Sequence, residues 1–272
     1  MSFRPTGFDR TLGPTALVLA GGLALFEFTG VDLWLQDKFY DAATGRWLVD
    51  AADPLGRLVF YDGPKGLIIL AAVALLVLAV GPARWRERWR FGRRDLWVAV
   101  LTLVSVPVLA GWGKDTTNTF CPSEIRRYGG DVPYVKVFER YPENDRPARR
   151  GRGFPAGHAS GGFALLGLMW LRRSPAWRLG GLALGLGAGW WMGGYQMLKG
   201  AHYLSHTVVT MLLAWIVMLL WRRIVRPAAD ESDHFYKELG RRTLNDPAIY
   251  SRENSGFNPG NLVLARCTSR PR

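Results

Sequence analysis

The 272-residue chain is poor in cysteine, in histidine and in acid. Two cysteines, Cys121 and Cys267, are too few for a disulfide framework. No stretch repeats and none is of low complexity, which excludes a solenoid or a repeat array. The chain carries 22 Asp and Glu against 35 Lys and Arg, a formal net charge of +13. Such a balance ordinarily suggests a nucleic-acid partner. Here the basic residues sit largely at the ends of apolar runs, where membrane anchoring and orientation account for them, and no nucleic acid is expected. Of four histidines, three (His158, His202 and His206) fall where apolar runs begin or end.

What is abundant is apolar sequence in runs separated by short arginine-rich turns. Runs are read at 14–35, 66–80, 96–112, 158–171, 179–198 and 204–221, most of them long enough for a hydrocarbon core of about 30 Å. No small-residue cleavage site follows the first closely, so an uncleaved anchor is expected there. Glu27 is expected to face other helices and Asp32 to lie at the interface. Arginines 84, 86, 88, 90, 93 and 94 mark one inside turn, Arg172, Arg173 and Arg178 a second, and Arg222, Arg223 and Arg226 the end of the last run. The pattern predicts an all-α polytopic membrane protein with six transmembrane helices in one bundle and both termini cytoplasmic. Residues 1–226 form the membrane domain and 227–272 a cytoplasmic tail.

Two stretches outside the runs bear on function. The aromatics of the connector 36–63 suit an interfacial belt. The loop 114–157 must lie outside, yet it holds nine basic residues against six carboxylates. Either it supplies fixed cations for phosphate, or it is a solvated loop against anionic headgroups. The fifth run is rich in glycine, which suits close helix packing within the chain or between two copies.

By this count Lys114, His158, Lys199, His202 and His206 all reach the outside face. Pro155-Ala-Gly-His158 stands at a loop-to-helix junction, where free N–H groups attract an anion. His202 and His206, four apart, share a helical face, with Lys199 three residues before. Cations, an anion-binding helix start and imidazoles suggest phosphoryl transfer through a nucleophilic histidine, while the His202/His206 pair alone could also hold a metal.

Phe154-Pro-Ala-Gly-His158 resembles the Pro-Ser-Gly-His motif of the type-2 phosphatidic acid phosphatase superfamily. Lys114 and Pro122 match the ends of that family's Lys-x6-Arg-Pro block. Gly200-Ala-His202-Tyr-Leu-Ser205 resembles its Gly-Val-His-Tyr-Pro-Ser. Four departures stand out: Cys121 replaces the first block's arginine, Ala156 the second block's serine, Tyr195-Gln196 the third block's Ser-Arg pair, whose charge Lys199 could supply, and His206 the terminal aspartate. The pattern matches a bacterial branch of the superfamily.

The resemblance implies a metal-independent lipid phosphatase with no cofactor, seated in the bacterial inner membrane with its site facing the periplasm. His202 is then the nucleophile, His158 the general acid and base, and His206 the orienter of His202. Lys114, Lys199, Arg127 or Arg126, and the N–H groups of Gly157 and His158 hold phosphate oxygens. Glu124 or Asp131 could supply the missing carboxylate. A rival register makes His206 the nucleophile and puts Thr210 at the aspartate. The substrate is a membrane lipid with a phosphate headgroup: a polyprenyl diphosphate, phosphatidate, phosphatidylglycerol phosphate or a lipid A phosphate. A lipid-to-lipid phosphotransferase and a non-catalytic membrane protein with a degenerate site are the alternatives. A neutral nucleophile beside a protonated acid implies a bell-shaped pH profile.

Overall fold

In lipid, backbone N–H and C=O groups must be paired within the segment, so long apolar runs fold as helices. The computed structural model describes residues 11–225, and the expected tail, 227–272, lies outside them. Helix α1 (Leu12–Phe28) and the short α2 (Val31–Gln36) lead into a hairpin, β1 (Tyr40–Asp41) and β2 (Arg46–Trp47). Next, α3 (Pro54–Arg57), a π turn and α4 (Gly63–Val80) run on as one helical stretch, followed by α5 (Ala83–Trp89) and α6 (Arg93–Thr116). After a long loop come α7 (Gly157–Ala164), continued as a 3-10 segment to Trp170, then α8 (Pro175–Leu198) and α9 (Leu204–Ile224).

Among the described residues three helices are long and apolar enough to cross a membrane: the stretch Pro54–Val80, α6 and α9. Helix α1 is apolar but shorter. The run read at 66–80 is the second half of a 27-residue stretch. Asp53 starts it: its carboxylate accepts the Leu55 and Gly56 N–H groups at 3.1 and 2.9 Å, with Pro54 in the first turn. The helix therefore includes Tyr61, read above as part of a connector, and Lys65.

The two ends of the bundle differ in chemistry. Arg94 donates to the carbonyls of Arg222 and Val225, closing the free C-terminal end of α9. Arg172 donates to the Trp89 carbonyl at 3.0 Å and lies over the Phe91 and Trp177 rings. The three arginine-rich turns thus meet at one end. Lys114 lies about 30 Å further along α6, at 1.5 Å per residue, close to a hydrocarbon thickness.

Glycines in α8 decide how it packs. A Cβ at Gly181 would stand 2.6 Å from the Met169 backbone, and one at Gly185 2.7 Å from the Leu166 backbone N. At Gly189 it would enter the Phe163 ring. These positions, four apart, let α7 and its 3-10 continuation lie directly on α8. Gly180, Gly187 and Gly194, on other faces, have nothing within 4 Å. Of the two uses open to the glycine-rich run, packing within the chain occupies this face.

Candidate active site

Three loops converge at the lysine end. Helix α8 stops at Leu198 because Gly200 takes a left-handed conformation (φ 74°). The Gly200 N–H bonds Met197 O at 3.1 Å and the Ala201 N–H bonds Gln196 O at 2.8 Å, a Schellman ending. A side chain at Gly200 would also collide with Trp47, which packs with Tyr40 and Tyr128 beneath this turn. That aromatic trio braces the site, where the sequence suggested a membrane-interface belt.

His202 follows in the short reversal before α9. It lies outside that helix, whose cap is Tyr203, so the shared helical face expected for His202 and His206 does not form. Their rings still meet, with centroids 5.6 Å apart. Lys199 stands across the turn, at the end of α8. The buried Asp32 carboxylate accepts the Ser205 N–H at 2.8 Å and so caps the start of α9. It is buried among protein groups at the site end of the bundle. Glu27, also expected among helices, instead accepts the Phe138 N–H of the loop, at 3.4 Å.

The second motif is tied to both neighbours. Thr117 Oγ1 donates to Phe154 O at 2.7 Å, and the Ala156 N–H bonds Thr210 Oγ1 at 2.9 Å and His206 O at 3.3 Å. Thr210 is thus engaged with backbone at the base of the motif. The rival register needs it against the His206 ring.

The outcome is a row of three imidazoles. His158 Nδ1 lies 3.3 Å from His202 Nε2, and His202 Nδ1 lies 3.4 Å from His206 Nδ1. The Gly153 carbonyl lies beside the His202 and His206 rings. A His202 proton on Nδ1 leaves the Nε2 lone pair facing His158. Burial first, then the charges of His206, Lys114 and His158, hold the His202 pKa well below the ordinary 6.5. A neutral imidazole is the form that can attack.

Lys114 lies against the first turn of α7. A Cβ on Gly157 would stand 2.9 Å from its Cε and 3.4 Å from its Nζ, so glycine is what admits the ammonium. A cleft of about 520 Å³ opens here, lined by Lys114, Gly157, His158, Tyr61 and Lys65, with Ile68, Ile69, Ala72 and Leu103 further along. His202 is 1% exposed and does not line it, so His158 stands between the cleft and His202.

The two arginines expected to hold phosphate are both paired with carboxylates. Arg127 makes a two-pronged bond to Asp37, at 2.8 and 2.7 Å, and Arg126 binds Asp145. Arg127 in turn holds the Asp37 carboxyl below the usual range. Glu124 and Asp131, the expected substitutes for the missing carboxylate, both pair with Arg149. Much of the basic excess of the loop is spent on its own architecture, because a guanidinium near a carboxylate at the surface closes a loop more readily than it stays free. Cys121, in the arginine's place, has its thiol pushed up to about 12, by burial first and then by Glu124, and stays neutral.

Lys65 and Tyr61 were not singled out in the sequence, although their four-residue spacing puts them on one helical face. The Gly153 carbonyl has no sequence signal at all. Among the described residues no cluster of three His, Cys, Asp or Glu side chains could hold a metal ion.

A family model, the PAP2 superfamily, matches residues 95–229, which include Lys114 and all three imidazoles. Members of that superfamily are phosphatases. No curated protein and no solved structure gives a match.

Proposed function

We propose, from the premise that this chain belongs to the PAP2 superfamily, that it hydrolyses a lipid phosphate through a phosphohistidine on His202. The observation that carries this reading is the 3.3 Å approach of His158 Nδ1 to His202 Nε2. That distance supports a proton donor working beside a nucleophile. A phosphoryl group entering from the cleft parts the two rings and lies between them. The His202 Nε2 lone pair forms the N–P bond, the P–O bond to the leaving group breaks, and His158 gives its proton to the leaving oxygen. His158 then takes a proton from water as that water attacks phosphorus, and phosphate leaves. Lys114 and the N–H groups of Gly157 and His158 face the oxygens on which charge grows. No metal takes part in these steps.

The amphipathic cleft supports a lipid substrate, since its charged end passes directly into an apolar groove between α4 and α6. The histidine end of the bundle then faces the periplasm and the arginine turns face the cytosol of a bacterial inner membrane. The test is phosphate release from lipid phosphates by the detergent-purified protein. His202→Ala is expected to lower release by about 10³-fold or more. Retention of more than about a tenth of wild-type activity rules out His202 as the nucleophile.

A further inference from the structure

The charges around His158 exceed what one phosphate monoester requires. Lys114 and Lys65 line the cleft beside it, and Lys199 ends α8 across the turn from His202. None of the three has a carboxylate within ion-pair distance among the described residues. Asp62, one turn before Lys65, is taken up by Arg57 at 2.9 Å. A terminal phosphate of about −1.5 to −2 is matched by Lys114 and the free N–H groups of α7. Lys65 lines the same cleft as His158 and Lys114. The Tyr61 ring meets His158 edge-on, centroids 4.6 Å apart, and Lys65 Nζ lies 5.6 Å from the Tyr61 ring. Beyond it the cleft turns apolar at Ile68 and Ile69. One cleft thus carries two cations, Lys114 and Lys65, together with His158 and an apolar wall.

We propose that Lys65, with Tyr61, forms a second anion subsite that receives the inner phosphate of a lipid diphosphate. This deepens the phosphatase reading and rests on it. His202 attacks the outer phosphorus, the bridging P–O bond breaks, and His158 gives its proton to the departing lipid monophosphate. Lys65 neutralises charge on that leaving phosphate, so it acts on a diphosphate and finds nothing to hold in a monophosphate.

The experiment uses one lipid chain carrying either one phosphate or two, and the full-length protein in detergent. Lys65→Gln is expected to lower kcat/KM for the diphosphate about 10-fold, the scale of one lost charge-assisted hydrogen bond, and for the monophosphate less than about 2-fold. Lys65→Arg, which keeps the charge, is expected to preserve the wild-type ratio. On the unmodified protein, inorganic pyrophosphate is expected to inhibit monophosphate hydrolysis more strongly than phosphate does. Equal inhibition by the two anions overturns the subsite, whatever the variant's folding. Equal losses on both lipids also overturn it and leave the phosphatase reading standing. Release from neither lipid by the wild-type protein refutes the phosphatase reading itself, and this subsite with it.

Discussion

Gly157→Ala separates activity from stability at one atom. The added Cβ would lie 2.9 Å from Lys114 Cε and 3.4 Å from Nζ. The atoms it meets are the far end of a flexible side chain, so folding absorbs the clash by moving the ammonium. Relief to ordinary contact displaces Cε by about an ångström, a misplacement of the size that costs on the order of 10²-fold in rate. That is about 2.7 kcal/mol of transition-state stabilisation. The same change replaces a glycine at the first position of α7, where alanine is favoured by up to about 1 kcal/mol. The expected outcome is a rate of phosphate release lowered about 100-fold with an unchanged or raised melting temperature. The double variant with Lys114→Ala supplies the decisive comparison. If the methyl acts only through the ammonium, it adds nothing once the ammonium is gone. Activity within about 3-fold of wild type, or fully additive losses in the double variant, refutes the placement of Lys114 on the phosphate.

Two further perturbations follow from the packing and the buried imidazoles. Gly189→Ala drives a methyl into the Phe163 ring, whereas Gly187→Ala meets open space, so thermal unfolding in one detergent should show the first destabilised by about 1–3 kcal/mol and the second unaffected. His202 is held neutral by burial, with its pKa depressed below the unfolded value of 6.5. Below that pH the unfolded chain takes up the proton and the folded one does not, so stability falls as pH drops, by up to about 1.4 kcal/mol per pH unit. The loss in melting temperature between pH 6.5 and 5 should be smaller in His202→Gln than in wild type, and equal losses would mean that the ring is charged in the folded protein.

The order of chemistry along the chain was legible because it is local. Apolar runs separated by arginine clusters specify helices and the ends at which they turn. Lys114, His158, His202 and His206 could be named together because each sits within a few residues of a helix end, and the arginine turns do meet at the opposite end of the bundle. The glycine spacing in α8 likewise announced a close crossing, though not its partner.

What only the tertiary structure decided is which charges remain free. Arg126 and Arg127 looked as available as Lys114 in the one-dimensional chain. Loop closure brought Asp145 and Asp37 against them and left Lys114, Lys199 and Lys65 without carboxylates among the described residues. The same holds for the Gly153 carbonyl beside His202, a group every residue possesses, and for Asp32, which an apolar run concealed as a helix cap. Helical periodicity is set by bonds four residues apart and can be read directly. Ion pairing spans up to 90 residues here and depends on where the chain returns, which no local pattern encodes.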